Sequence, residues 1–417
     1  MATIGSGKRR TVFILCFATL LAMGLWFSAS AVVPQLATEW GLTAGQVSWM
    51  TMSVQAGFVA GTLLSAALNL PDRFSSSVLF AASAAVGAVF NAAIPLLGAG
   101  PDGALLLRFL TGACLAGVYP PGMKLIATWC KQDLGLGIGL LVGALTLGSA
   151  TPHLLNGLAV FGPGGMPPWR PVLLASSGMA IVAAAVAGLL VRPGPYFRKT
   201  APFNWRFSGE VFRYRPTRLA NFGYLGHMWE LYAMWTWVPA LLIVSYEMAG
   251  WSARGARLAG FGAVGVGAVG CVMAGVAADR RGRTTVTIAS LVLSGSCALV
   301  AGLFFTQPGV LTVICLIWGF FVVADSAQFS AAVSEMTDPL YVGTALTIQT
   351  SLGFLLTLVP IRLIPELVAR FGWSYAPMVL VIGPAFGAWN MWRLRTVRRQ
   401  LGLASGRGRF LPGEKDV

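Results

Sequence analysis

Apolar runs of 20 or more residues recur along the whole chain, and each is long enough to cross ~30 Å of hydrocarbon as a helix. Few folds are open to such a chain. Inside a bilayer every backbone N–H and C=O must find its partner within the protein, which leaves helices or a closed barrel. A barrel strand alternates apolar and polar residues, and these runs do not. The runs lie at 11–36, 46–70, 76–98, 103–128, 135–160, 171–191, 219–245, 256–278, 285–306, 309–333, 341–365 and 373–394. The expectation is an all-α membrane protein of twelve transmembrane helices.

Composition removes the main rival. The net charge is +15, which in a soluble chain suggests nucleic acid. Here charged residues are only 10% of the chain, and the basic ones sit in short clusters between apolar runs. No nucleic-acid partner is expected. The clusters instead orient the chain, because Lys and Arg are retained on the cytoplasmic side. With the N-terminus inside, 23 of the 29 Lys and Arg fall inside and five outside. Arg108 is left within a span. Both termini are therefore expected in the cytoplasm and the protein in the cell (inner) membrane. The run after MATIGSGKRR reads as a retained first span and not as a signal peptide. The six cysteines show no metal-ligand spacing and read as small buried hydrophobes.

The longest linker, residues 192–218, carries seven basic residues and divides the chain. The expected organisation is an N-tail at 1–10, a six-helix bundle at 11–191, a cytoplasmic linker at 192–218, a second six-helix bundle at 219–394 and a basic tail at 395–417. Asp72-Arg73 and Asp279-Arg280 hold the same place in each half, as in a parallel repeat.

The loop GVAADRRGRTTV (275–286) resembles the G-x-x-x-D-R-x-G-R-R loop of the major facilitator superfamily through Gly275, Asp279, Arg280, Gly282 and Arg283. Asp72 and Arg73 stand in its degenerate N-half copy. Arg108 and Gly112 resemble that family's R-x-x-x-G motif in the fourth span. The resemblance implies two pseudo-symmetric bundles of the bacterial twelve-helix type. It also implies a conformational latch at Asp72, Arg73, Gly275, Asp279, Arg280, Gly282 and Arg283. The residues support part of this: a carboxylate after a helix end can bond to the N-terminus of a neighbouring helix and pair with Arg. The alternative is that these arginines only hold the loop inside.

An ionisable residue at bilayer depth costs at least ~2.5–3.5 kcal/mol on insertion scales and marks a candidate site. The candidates are Arg108, His153, His227, Glu230 and Asp325. His227 and Glu230 share one helix face in an aromatic stretch with Tyr232 and Trp235, whose rings can stack on a planar solute or hold a cation. Desolvation favours the neutral form of a carboxyl, so Glu230 is a candidate proton carrier. The resemblance places spans one, four, seven and ten around a central cavity, where Asp325 and Gln328 would join Glu230. Tyr119-Pro120-Pro121-Gly122 should break the fourth span, which puts Tyr119 at an opened backbone. Each has a plainer alternative: a Glu–His structural pair, an interfacial aromatic belt, an Arg108 that snorkels to the membrane surface.

No P-loop, H-E-x-x-H or G-x-S-x-G motif occurs, so neither an ATP-driven pump nor an enzyme is expected. The expected function is secondary active transport of a small solute by alternating access, proton-coupled, with no cofactor, acting as a monomer. The acids favour an organic cation; Arg108 with two histidines favours a small anion. A membrane sensor on the same fold is the third possibility. The expected partners are the lipid bilayer, a small-molecule substrate and protons.

Overall fold

A computed structural model describes residues 2–130, 133–158, 167–196, 203, 207, 209–338 and 340–400, with side chains omitted for residues 2–6, Asp72, Glu210 and 398–400. Among the described residues all regular structure is helical. The N-half comprises α1 (Ala2–Phe27), α2 (Val33–Trp40), α3 (Ala44–Ala67), α4 (Leu70–Arg73), α5 (Ser76–Leu97), α6 (Gly100–Leu115), α7 (Tyr119–Trp129), α8 (Leu134–Leu158) and α9 (Trp169–Leu190). After the short α10 (Glu210–Arg213), the C-half comprises α11 (Arg215–Met248), α12 (Ala253–Gly265), α13 (Gly267–Arg281), α14 (Arg283–Ala301), α15 (Pro308–Ala324), α16 (Ser326–Met336), α17 (Val342–Phe371) and α18 (Ile382–Gln400).

Ten of the expected spans are long and apolar enough to cross a membrane on length and composition. The other two lie on α11 and on α18 with the 3₁₀ turn before it (Ala376–Val381). Helix α11 has 34 residues, about 51 Å at 1.5 Å per residue, so length does not limit it. Its Asn221, His227 and Glu230 lower its hydropathy, and all three are buried in protein. Large apolar side chains such as Phe13, Leu97, Val89, Leu189 and Met273 instead point outward. An apolar exterior over a core holding Arg, Asp, Glu and His suits hydrocarbon surroundings. All six cysteines are free thiols.

Helix starts follow local chemistry. Thr43 and Gln46 form a capping box at α3, and Ser75 and Ser252 cap α5 and α12, each satisfying an orphan N–H of a first turn. The fourth span breaks between α6 and α7 as expected. Pro120 and Pro121 cannot donate to the carbonyls four residues back, and the backbone tightens instead, with Gly117 N bonding Cys114 O and Val118 N bonding Leu115 O. The tenth span breaks between α15 and α16, at the equivalent place in the repeat, without proline. There Asp325 is the junction residue and its carbonyl accepts from Gln328 N.

In the N-half α3 packs on α6, α5 on α9, and α1 on α8 and α9; in the C-half α11 packs on α17 and α18, and α14 on α15 and α18. The halves meet along two seams, α3 against α17 and α8 against α12 and α13. Spans two and eleven make the first seam, spans eight and five the second. Exchanging the halves maps each seam onto the other, which is the pairing of a two-fold pseudo-symmetric repeat.

Candidate functional site

Helix α11 presents His227 and Glu230 to the inside of the C-half, each 1% exposed. They share a face but take separate partners. Glu230 Oε1 accepts from Trp318 Nε1 at 2.7 Å and Oε2 accepts from Ser294 Oγ at 2.8 Å, which ties α11 to α15 and α14. His227 Nδ1 lies 2.9 Å from Asp325 Oδ1. Asp325 is also 1% exposed, and neither of its oxygens has a hydrogen bond of good geometry among the described residues. The imidazole thus stands against Asp325 at the point where the tenth span is discontinuous. His227 Nε2 has no partner among the described residues.

Gln328 stands apart from this group. Its Oε1 accepts from Arg283 Nη1 at 2.7 Å, while Arg283 Nε and Nη2 each lie 2.8 Å from Glu335 Oε1. Arg283 therefore clamps α14 to α16 within the C-half. Asp279 lies against the other half: a methyl placed on Gly135, in the first turn of α8, would meet Asp279 Oδ1 at 3.0 Å. A carboxylate there opposes the positive end of the α8 dipole. Gly275 sits one turn earlier, where a methyl would meet Gly135 O at 3.2 Å. Gly282 has φ +87°, a turn conformation that a side chain would strain. Arg73, Arg280 and Arg281 are exposed; the side chain of Asp72 lies outside the described set.

Arg108 does not snorkel. It is 0% exposed and its donors go to Leu25 O at 2.8 Å, Trp26 O, Met50 O at 3.3 Å, Ser28 Oγ at 3.1 Å and Asn91 Oδ1 at 3.4 Å. Leu25 and Trp26 belong to the last turn of α1, whose carbonyls have no intrahelical partner. A guanidinium at that negative helix end is a cap that also gathers α3 and α5. No carboxylate pairs with it among the described residues. Arg108→Ala should then lower the thermal stability of purified, ligand-free protein by on the order of 3 kcal/mol, since several buried acceptors lose their donor. An unchanged melting curve would show the arginine to be dispensable for packing.

The aromatic residues of α11 form no interfacial belt. Tyr232 and Trp235 are buried in a ring layer across the seam. Tyr232 meets Trp26 at 5.7 Å, Phe27 at 6.4 Å and Phe354 at 4.9 Å between centroids. Trp235 meets Phe27 at 6.0 Å, and Phe58 meets Phe354 at 4.6 Å. Trp26 Nε1 and Trp235 Nε1 are buried without partners among the described residues, as are both amide atoms of Gln55 on α3 and of Gln349 on α17. Native proteins leave few such groups unsatisfied unless something else meets them. Tyr119, half-buried, begins α7 and packs against the same core.

Sequence reading found the charged members and missed their neutral partners. Ser294 and Trp318 lie in spans whose patterns announce no site, and Gln55 and Gln349 are uncharged, so the cost that marks a buried ionisable residue does not single them out. The signal for the glutamines was available, since each is a polar residue inside an apolar run.

Residues 15–359 match the Major Facilitator Superfamily, and the chain belongs to that family, whose members are multi-pass membrane transporters. A stretch of 174 residues, 39% of this chain, is 24% identical to the 4-hydroxybenzoate transporter PcaK of Acinetobacter baylyi. The match spans 36% of that relative's length.

Proposed function

We propose that this protein is a proton-coupled secondary transporter of small organic acids with an aromatic ring, working by alternating access, with both termini in the cytoplasm of a cell whose inner membrane it spans. The observation that carries the reading is the double use of α11. One stretch of it contributes Tyr232 and Trp235 to a ring layer on the seam, with unpartnered N–H and amide groups nearby. A turn or two away it holds Glu230 and the His227–Asp325 pair. The ring layer suits a planar solute, because stacked or edge-on ring pairs are favourable at 4.5–7 Å, and the unpartnered donors suit its polar groups.

The coupling follows from charge. Moving one elementary charge across a membrane potential costs ~2.3 kcal/mol per 100 mV, so an anion entering a negative interior needs at least one accompanying proton. Asp325 and His227 can exchange that proton at the break between α15 and α16, where a change of pairing alters the packing of two short helices. A cation exporter is less well supported, since Glu230 and Asp325 are both engaged inside the C-half. The relative named above adds an independent reason to test aromatic acids first.

The test is uptake by proteoliposomes. Labelled 4-hydroxybenzoate should accumulate at least tenfold when the outside is acidified and should leak back on adding a protonophore. No gradient-driven uptake of any aromatic acid in a panel would overturn the substrate and the coupling together.

A further inference from the structure

At the end of the bundle away from the termini, a cleft of about 250 Å³ opens between the halves. Ser30, Thr51, His153 and Asn156 stand on its N-half wall, and Thr236 and Trp237 on its C-half wall, which Arg257 completes. Thr236 lies one turn beyond Tyr232 and donates to its carbonyl at 2.6 Å, so the cleft adjoins the ring layer. Most of the polar lining is engaged within the protein. Trp237 Nε1 donates to Ile361 O at 3.0 Å. Asn156 Nδ2 donates to Ala31 O at 2.7 Å, and its Oδ1 accepts from Gln35 Nε2 at 2.8 Å. The hydroxyls of Ser30 and Thr51 pair at 2.7 Å, and Arg257 Nη1 donates to Ala253 O at 2.9 Å. His153 differs. It is 6% exposed, and its Nε2 has no hydrogen-bond partner among the described residues. One turn earlier on α8, Ser149 Oγ is also buried without a partner among them. Native proteins leave few such groups unmet.

With these donors engaged, the cleft still offers acceptors: a lone pair on Thr236 Oγ1 and, in a neutral imidazole, one ring nitrogen. Their complement is a hydrogen-bond donor. An ammonium group would find no counter-charge, since no carboxylate lines the cleft, and a buried charge needs a partner. A hydroxyl donates without bringing a charge. We infer that this cleft recognises the ring hydroxyl of a small aromatic acid, which donates to the imidazole of His153 while the ring lies against Trp237. The inference rests on the organic-acid reading above and narrows it to hydroxylated rings. The size agrees: about 250 Å³ falls below the ~300–1,000 Å³ of drug-sized sites, so the cleft takes a single ring and excludes a bulky amphipath. A site that pairs with a hydroxyl rejects the analogue lacking one, because its own buried polar group is then left unmet.

The experiment compares 4-hydroxybenzoate, 4-fluorobenzoate and benzoate in proteoliposomes carrying the unaltered protein, His153→Phe or His153→Gln. Fluorine occupies the place of the hydroxyl and cannot donate. The unaltered protein should show a KM for 4-hydroxybenzoate at least fivefold below that for either analogue. His153→Phe, which keeps a ring of similar size, should erase this preference by raising KM for 4-hydroxybenzoate at least fivefold, with KM for benzoate within twofold. A merely structural role would shift all three acids together. If His153→Phe does not fold, His153→Gln must still raise KM for 4-hydroxybenzoate at least twofold more than for benzoate. Equal KM for 4-hydroxybenzoate and 4-fluorobenzoate in the unaltered protein, or an equal change for all three acids in the His153 variant, overturns the subsite while transport of aromatic acids stands. Failure of the unaltered protein to transport any acid overturns both.

Discussion

Replacing Asp325 with Asn should abolish uphill accumulation of substrate, by at least a hundredfold, while exchange of labelled for unlabelled substrate continues. Asn fills the same space and can neither ionise nor carry a proton, so the change removes the charge and little else. Asp325 lies 2.9 Å from His227 Nδ1, and with Asn in place the imidazole no longer faces a carboxylate. Coupling needs a site whose proton occupancy differs between the two faces of the membrane; exchange at equilibrium does not. Glu230→Gln is the informative comparison. Glu230 is braced by Trp318 and Ser294, and Gln can keep both contacts, so the two variants separate proton carriage from bracing of α11. Gradient-driven uptake and counterflow, measured on the same vesicles, decide it. An Asp325→Asn protein that accumulates substrate like the parent would remove this carboxyl from the coupling path.

The second large effect is on folding. Gly57→Leu should leave little folded protein, with a loss of more than about 3 kcal/mol, toward or beyond the upper range for overpacking a tight interior. Helices α3 and α6 approach backbone to backbone. A methyl on Gly57 would come within 1.9 Å of Phe109 O, one on Gly61 within 2.3 Å of Ala113 O, and one on Gly112 within 2.1 Å of Val54 O. The obstacle is main chain, which cannot change rotamer, so the helices must part along the contact. Small residues of this kind let membrane helices pack closely. The measurement is the monodisperse fraction and melting midpoint in detergent. Normal behaviour of Gly57→Leu would mean that α3 and α6 can slide past this contact.

The spans were legible because a hydrocarbon core imposes one simple demand, about 20 apolar residues at a time. The edges were less so. Helix α1 begins at Ala2, inside the segment expected as a tail, and the first span continues past Phe27 through a 3₁₀ turn and α2 to Trp40. Neither feature changes hydropathy enough to mark a boundary. The candidate site was legible through its charges, since Glu230, His227, Asp325 and Arg108 stand out against apolar neighbours. Their pairing was not. A spacing of three residues put His227 and Glu230 on one face and suggested that they pair with each other. The partners they take, Asp325 for one and Trp318 with Ser294 for the other, lie 64 or more residues away, and helix periodicity carries no information on such contacts. The same holds for Arg108, whose partners are mostly carbonyl oxygens and therefore invisible in side-chain identity.

The ring layer has a bearing on how fast such a protein can work. Five of its ring pairs join one half to the other: Trp26 and Phe27 with Tyr232, Trp26 and Phe58 with Phe354, and Phe27 with Trp235. In the proposed alternating-access cycle, a rearrangement that opened this layer would part all five. At ~0.5–1.5 kcal/mol per pair they add several kcal/mol to that barrier, and each ~1.4 kcal/mol is a tenfold change in rate. An aromatic solute lying between the rings would replace part of what is lost on separation. The loaded carrier would then reorient faster than the empty one, and the seam would act as a brake on idle cycling.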